Sequence, residues 1–168
     1  MYRRILVPVD GSPTARRGLD EAIRLARQTG ASLRLFHAID DPFTALGIDE
    51  VVQAPRDVEA LLAQNARRIV DEGMAASRLA GVYADSEIED RLHGPLQDLV
   101  AAAARKWKAD LIVIGTHGHR GMVRMLLGSD AEQILRLSPV PVLLVRPEAM
   151  PAPGGALPIA RSAEGAAA

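Results

Sequence analysis

DLIVIGTHGHRGMVRMLLGSDAE, residues 110–132, joins an apolar run to a glycine-studded segment and then to the start of an amphipathic stretch. Consecutive Leu111, Ile112, Val113 and Ile114 predict a strand covered on both faces, as in a parallel sheet. Gly115, Gly118, Gly121 and Gly128 let backbone amides approach a ligand without side-chain obstruction. Ser129, Asp130, Ala131 and Glu132 read as S-x-x-E, which predicts a capping box on Ser129 and a helix to about Leu137. His117, His119, Arg120 and Arg124 bring positive charge, and the Ser129 hydroxyl would sit where a helix dipole favours anions. The stretch predicts a strand, loop and helix unit suited to phosphates.

Outward from it, the same alternation recurs. RILVPV, residues 4–9, predicts a first buried strand ending at Asp10 and Gly11. Ser12 and Pro13 supply an N-cap and a first-turn proline, Leu19, Ala22, Ile23 and Ala26 share a helical face, and Gly30 ends that helix. SLRLFHAI, residues 32–39, predicts a second strand, followed by an irregular segment over 40–54. The spacing of Val58, Leu61, Leu62 and Ile69 predicts a helix from Asp57 to Leu79, with Gly81 beyond it. A more polar third strand spans about 84–92 and fits a sheet edge. Gly94 and Pro95 open a helix expected to bury Leu96, Leu99, Val100 and Trp107. VPVLLVR, residues 140–146, predicts a fifth strand.

Repeated strand–helix–strand units with right-handed crossovers predict an α/β fold: an open five-stranded parallel sheet with helices on both faces. In the order 3-2-1-4-5, the first and fourth strands are central neighbours, so Asp10 and Gly115 face one crevice, where open sheets bind ligands. The fifth strand is apolar on both faces from Val140 to Val145, yet that order puts it at an edge. Either a second copy covers it across a two-fold axis or the Pro-rich tail folds back over it. After Arg146 the composition turns to Pro, Ala and Gly. Residues 1–147 are expected to be one domain and 148–168 a flexible tail.

Composition bounds the chemistry. A chain of 168 residues, 48% hydrophobic and 24% charged, is sized for one domain with a real core. With 3% aromatics and a net charge of −1, it offers neither stacking platforms nor a field for nucleic acid or an anionic membrane. The absence of cysteine removes disulfides, thiolate chemistry and cysteine-ligated metals. The N-terminal apolar run is too short for a signal segment and no long apolar run follows, so a cytoplasmic address is expected. Lys106 and Lys108 are the lysines of the chain, far from the glycines, which excludes GxxxxGK[ST]. VDGSP after the first strand does not carry GxGxxG. His117 and His119, two apart on a loop with no further ligands nearby, make a poor metal pair. His37 reads as a packed core residue and His93 as surface. Met122, Met125, Leu126 and Leu127 pack under the loop or cover a ligand. Asp10 has a bland alternative as a helix cap in place of Ser12.

The glycine segment also resembles a known family. Gly115-Thr116-His117-Gly118, nine residues, then Gly128-Ser129 matches the GxxG, nine residues, G[ST] pattern of the ATP-binding universal stress proteins. ILVPVDGSP, LFHAID, ADLIVIGTHG and SPVPVLLVRP look like that family's strand ends in the same order, over about residues 2–147. The resemblance implies the strand order 3-2-1-4-5 and ATP in the crevice. Pro8, Val9 and Asp10 would line the adenine and ribose pocket, with the Asp10 carboxylate on a ribose hydroxyl and the Ala38 backbone against adenine. Gly115, Thr116, Gly118, Gly128 and Ser129 would surround the phosphates, with His117, Arg120 and Ala131 as neighbours. Asp130 departs from the small or apolar residue often found after the serine, and its carboxylate repels phosphate unless Mg²⁺ intervenes. The resemblance also implies a homodimer through the fifth strand. Function is expected to be occupancy-based regulation in the stress response. The alternatives are a slow Mg-dependent ATP hydrolase, for which only His117 and Asp130 are nearby candidates, and a nucleotide-independent interaction scaffold.

Overall fold

The computed structural model describes residues 1–39, 56–90, 94–116 and 128–146. Among them the chain forms five strands and four helices in alternation. In chain order these are β1 (Arg4–Pro8), α1 (Pro13–Thr29), β2 (Ser32–Ile39), α2 (Arg56–Leu79), β3 (Ala84–Asp90), α3 (Leu96–Trp107), β4 (Leu111–Gly115), α4 (Ser129–Leu137) and β5 (Val142–Val145). The strands make one sheet of order β3-β2-β1-β4-β5, every neighbouring pair parallel. The expected topology is therefore the observed one, with β3 and β5 at the edges. No described helix is long and apolar enough to cross a membrane.

Alternation along the central strands sends side chains into two cores. Ile5 and Val7 of β1, with Val9 just beyond it, join Leu33, Leu35, Leu111 and Val113 under α1 and α2. Leu6, Phe36, Ile112 and Ile114 meet α3 and α4 on the opposite face. This division follows from crossover handedness. Connections running from β1 towards β3 place their helices on one face, and those running from β3 back past β1 to β5 place theirs on the other. At the foot of the sheet the Asp110 carboxylate accepts the Arg3 and Arg4 backbone N–H groups at 2.8 and 3.0 Å, tying β1 to the start of β4.

Local chemistry sets the helix ends. Ser12 Oγ accepts the Ala15 N–H at 3.1 Å, and Gly30 closes α1 with φ 71°, a left-handed conformation that glycine adopts without steric cost. Two helices bury only part of the expected set, Ile69 and Val100 among it. In α2 the core side is Ala66, Ile69 and Val70, while Leu61 is 64% exposed. In α3 the fully buried stripe is Val100, Ala101, Ala103 and Ala104, with Leu96, Leu99 and Trp107 only half-buried against it. Small alanines let α3 lie close on the sheet, which moves the larger residues to its flanks.

Candidate functional site

The crevice forms where the chain leaves β1 and β4. These strands are neighbours, yet α1 carries its chain to one face of the sheet and α4 to the other, so the two connections diverge above the strand ends. The β1 side is tightly organised. Val9 N–H donates to the Phe36 carbonyl at 2.8 Å, and the Val9 carbonyl accepts from His37 Nδ1 at 2.7 Å. His37 is buried, as expected of a core residue, and its hydrogen bond reaches into the crevice wall. The chain then turns at Gly11, φ 79°. Asp10 is half-buried, and its Oδ1 accepts the Ser12 N–H at 2.8 Å while Ser12 Oγ caps α1. Ser12, not Asp10, is thus the helix cap, and Asp10 braces the turn.

The β4 side is built by close backbone packing. A Cβ placed on Gly115 would lie 2.4 Å from the Thr14 carbonyl oxygen of α1, so no larger residue fits without moving backbone. Gly18, in the middle of α1, faces the same crossing: its Cβ would lie 3.0 Å from Gly115 N. Gly115 is accounted for by packing whatever the loop holds. Gly18 was not singled out in the sequence, although a glycine inside a helix costs about 1 kcal/mol against alanine and so signals a packing reason.

Thr116 is buried, its N–H donating to the Val145 carbonyl at 3.0 Å and its carbonyl accepting the Gly128 N–H at 2.9 Å. Thr116 and Gly128, on either side of 117–127, are therefore clasped together and hung on the end of β5. His117, Gly118 and Arg120, three of the expected site residues, lie outside the described residues, as do His119, Gly121 and Arg124. So do His93, the four apolar residues of that segment and the tail 148–168.

At the far end of the clasp α4 begins, and here the expected capping box is absent. Gly128 is the N-cap with ψ 145°, so Ser129 is already the first helical residue and the cap residue has no side chain to bond the turn. Gly128 keeps an extended ψ outside the helix, and its N–H reaches back to the Thr116 carbonyl. The Gly128 carbonyl accepts the Glu132 N–H at 2.9 Å. Ser129 and Asp130 are exposed, and Ala131 is buried against the second core. The amides of this first turn, with the Ser129 hydroxyl beside them, form an uncapped row of donors at the positive end of a helix dipole. The helix α3 also starts uncapped, on Pro95, but it follows the edge strand β3, away from the β1–β4 crevice.

Of the remaining expected residues, Pro8 ends β1 in register with Phe36, and Ala38 lies half-buried near the end of β2. A separate cavity of about 210 Å³ lies on the α1–α2 side, lined by residues that include Val9, Ser12, Pro13, Arg16, Ile69 and Glu72. Val9 is the one expected site residue it shares. No group of three or more His, Cys, Asp or Glu among the described residues is arranged to hold a metal.

Among the described residues, the largest charge network is at the β3 edge of the sheet. Arg34 forks onto both oxygens of Asp85 at 2.7 Å, reaches Glu87 at 3.2 Å and lies 4.9 Å above the Trp107 ring centroid. Lys106 Nζ donates to Glu87 at 2.6 Å. Hydrogen bonds to Asp85 raise the Arg34 guanidinium above its ordinary value, and the bond to Glu87 raises Lys106. This cluster staples β3 to β2 and to the foot of α3, and it takes no part in the crevice.

Comparison with known proteins agrees with this geometry. Residues 1–146 match the model of the universal stress protein family. The chain is 33% identical over 144 residues to universal stress protein A homolog 1 of Coxiella burnetii, covering 86% of this chain and 96% of that protein. A solved universal stress protein family member from Burkholderia pseudomallei superposes with a TM-score of 0.68 at 28% identity, covering 86% of this chain and 96% of the other. The universal stress protein of Archaeoglobus fulgidus in complex with dAMP shares the fold, with a TM-score of 0.61 at 23% identity over 85% of this chain and 97% of that one. The chain belongs to the universal stress protein family.

Proposed function

We propose that this protein binds an adenine nucleotide, ATP with Mg²⁺, between the β1–α1 turn and the start of α4. Occupancy rather than turnover would then be its signal as a dimeric regulator in the stress response. The observation that carries the reading is the start of α4 on Gly128, without a side-chain cap, placed at the β1–β4 switch point beside a turn where Asp10 and Ser12 take the Ser12 and Ala15 amides. Backbone donors and the Ser129 hydroxyl suit phosphate oxygens. Pro8, Val9, Asp10 and Ala38 supply the wall for adenine and ribose. Gly118, His117 and Arg120 close the phosphate side from the 117–127 segment. The Archaeoglobus fulgidus protein solved with dAMP supports adenine nucleotides as the ligand class.

Asp130 stands in the first turn of α4, where its charge suits the dipole. Towards a bare phosphate at 4 Å it would cost roughly 4 kcal/mol at an effective dielectric of 20, so a divalent cation between them is part of the reading. Titrating nucleotide-stripped protein with Mg-ATP in a calorimeter, beside Gly118→Asp, tests it. Micromolar binding that vanishes in the variant supports the site, and flat heats for the wild type overturn it.

Dimerisation rests on β5. All four of its residues are half-buried although it is an edge strand, and Leu135 and Leu137 of α4 are exposed beside it in sequence. A second copy pairing with this strand would cover both. Sedimentation should find a dimer in the wild type and a monomer in Leu144→Lys.

A further inference from the structure

We infer that His37 is a positioning residue: it holds the Val9–Asp10 peptide, and through it the Asp10 carboxylate, where that carboxylate can read the ribose of a bound nucleotide. The inference rests on the nucleotide reading above and adds to it a residue whose side chain never meets the ligand.

His37 lies near the end of β2 in a stretch, SLRLFHAI, whose other inward residues are aliphatic or aromatic. Burying an imidazole there is unfavourable unless its polar atoms are bonded. A carbonyl can only accept, so the 2.7 Å contact with the Val9 carbonyl means that His37 Nδ1 carries the proton and donates it. A leucine would fill the same space without this requirement. What the imidazole adds is a directed bond to the last carbonyl before Asp10.

That carbonyl belongs to the rigid peptide plane joining Val9 to Asp10, so fixing its direction fixes the Asp10 N–H and the path of the chain into Cα of Asp10. The other side of Val9 is held as well, its N–H bonded to the Phe36 carbonyl at 2.8 Å. Beyond Asp10, the Ser12 N–H fixes Oδ1 at 2.8 Å. The carboxylate is thus fixed from behind by β2 and from in front by the α1 cap. Loss of the His37 bond would remove the tether behind that peptide plane while leaving the Ser12 contact in front, loosening the hold on Asp10.

The test uses the full chain and three ligands with Mg²⁺: ATP, 2′-deoxy-ATP and 3′-deoxy-ATP. Wild-type protein should bind at least one deoxy analogue about tenfold more weakly than ATP, the usual effect of losing one hydrogen bond to a charged acceptor. His37→Leu should bring that ratio close to one. His37→Asn, whose amide nitrogen replaces Nδ1, should restore it, whereas His37→Gln, which moves the donor outward, should not. If the leucine variant fails to fold, the Asn and Gln pair carries the same comparison. Asp10→Ala should also abolish discrimination, and adding His37→Gln to it should change nothing more. A residue with a packing role alone would lower the melting temperature and leave the ratio untouched, and that result would overturn the inference. A wild type that binds ATP without discriminating would overturn it too while sparing the nucleotide reading. A wild type that binds no ATP would remove both.

Discussion

The two connections that leave β1 and β4 do opposite things with the same backbone problem. Each ends a buried strand and starts a helix, and each helix start leaves amides without intrahelical partners. At the β1–α1 turn the chain's own side chains take two of them: the Asp10 carboxylate takes the Ser12 N–H and the Ser12 hydroxyl takes the Ala15 N–H. At the β4–α4 connection the cap is Gly128, which has no side chain to do the same. A self-capped turn is a scaffold, whereas an uncapped one beside it leaves its donors to something else. The difference locates the ligand better than the glycines do, because Gly115 is required by α1 whether or not anything binds.

The sharpest break is at that glycine. Gly115→Ala puts a Cβ against the Thr14 carbonyl, a backbone atom that cannot swing aside, and should cost about 3 kcal/mol or more. Thermal unfolding of the ligand-free protein measures it. An alanine tolerated within ~0.5 kcal/mol would return Gly115 to the ligand side of the comparison. Gly18→Ala meets its nearest atoms at 3.0 and 3.4 Å and should cost less.

Next in size is the staple at the far edge of the sheet. Arg34→Ala removes a forked pair to Asp85 and the contact over Trp107, with the Arg34 side chain 19% exposed, and should destabilise by about 2 kcal/mol in denaturant unfolding. Nucleotide affinity should not change, because the cluster lies outside the crevice. A matching loss of affinity would join two regions that the structure keeps apart.

What could be read from the sequence, and what could not, divides along similar lines. Strand order and the two-faced packing follow from apolar runs at 5–9 and 111–114, from Leu33, Leu35 and Phe36 in the second strand, and from crossover handedness, all of which are local or topological. The Arg34–Asp85 pair depends on the β2–β3 register, which no sequence pattern encodes. In α3 the leucines outweighed the alanines in any hydrophobic count, yet closeness to the sheet selects small residues. The S-x-x-E pattern misplaced the α4 cap by one residue. It reads only the helix, whereas Gly128, tied back to Thr116 across eleven intervening residues, takes the extended cap conformation in place of Ser129. His37 was legible as buried but not as a donor, since its partner lies on another strand.

The smallest effect on stability is the most telling one. Ser12→Ala should cost about 1–2 kcal/mol, because it strips the cap from α1 and does so in a buried position. Ser129 is the same residue type at the start of another helix, yet it is exposed and caps nothing among the described residues. Ser129→Ala should therefore change stability by less than ~0.5 kcal/mol in the absence of nucleotide. In calorimetry the same variant should bind Mg-ATP about tenfold more weakly, having lost one hydrogen bond to a charged oxygen. If its stability falls as far as that of Ser12→Ala, then Ser129 caps α4 after all and the two connections are equivalent. If stability and affinity both stay unchanged, the uncapped turn is not where the phosphates sit, and the crevice must be filled from the β1 side alone.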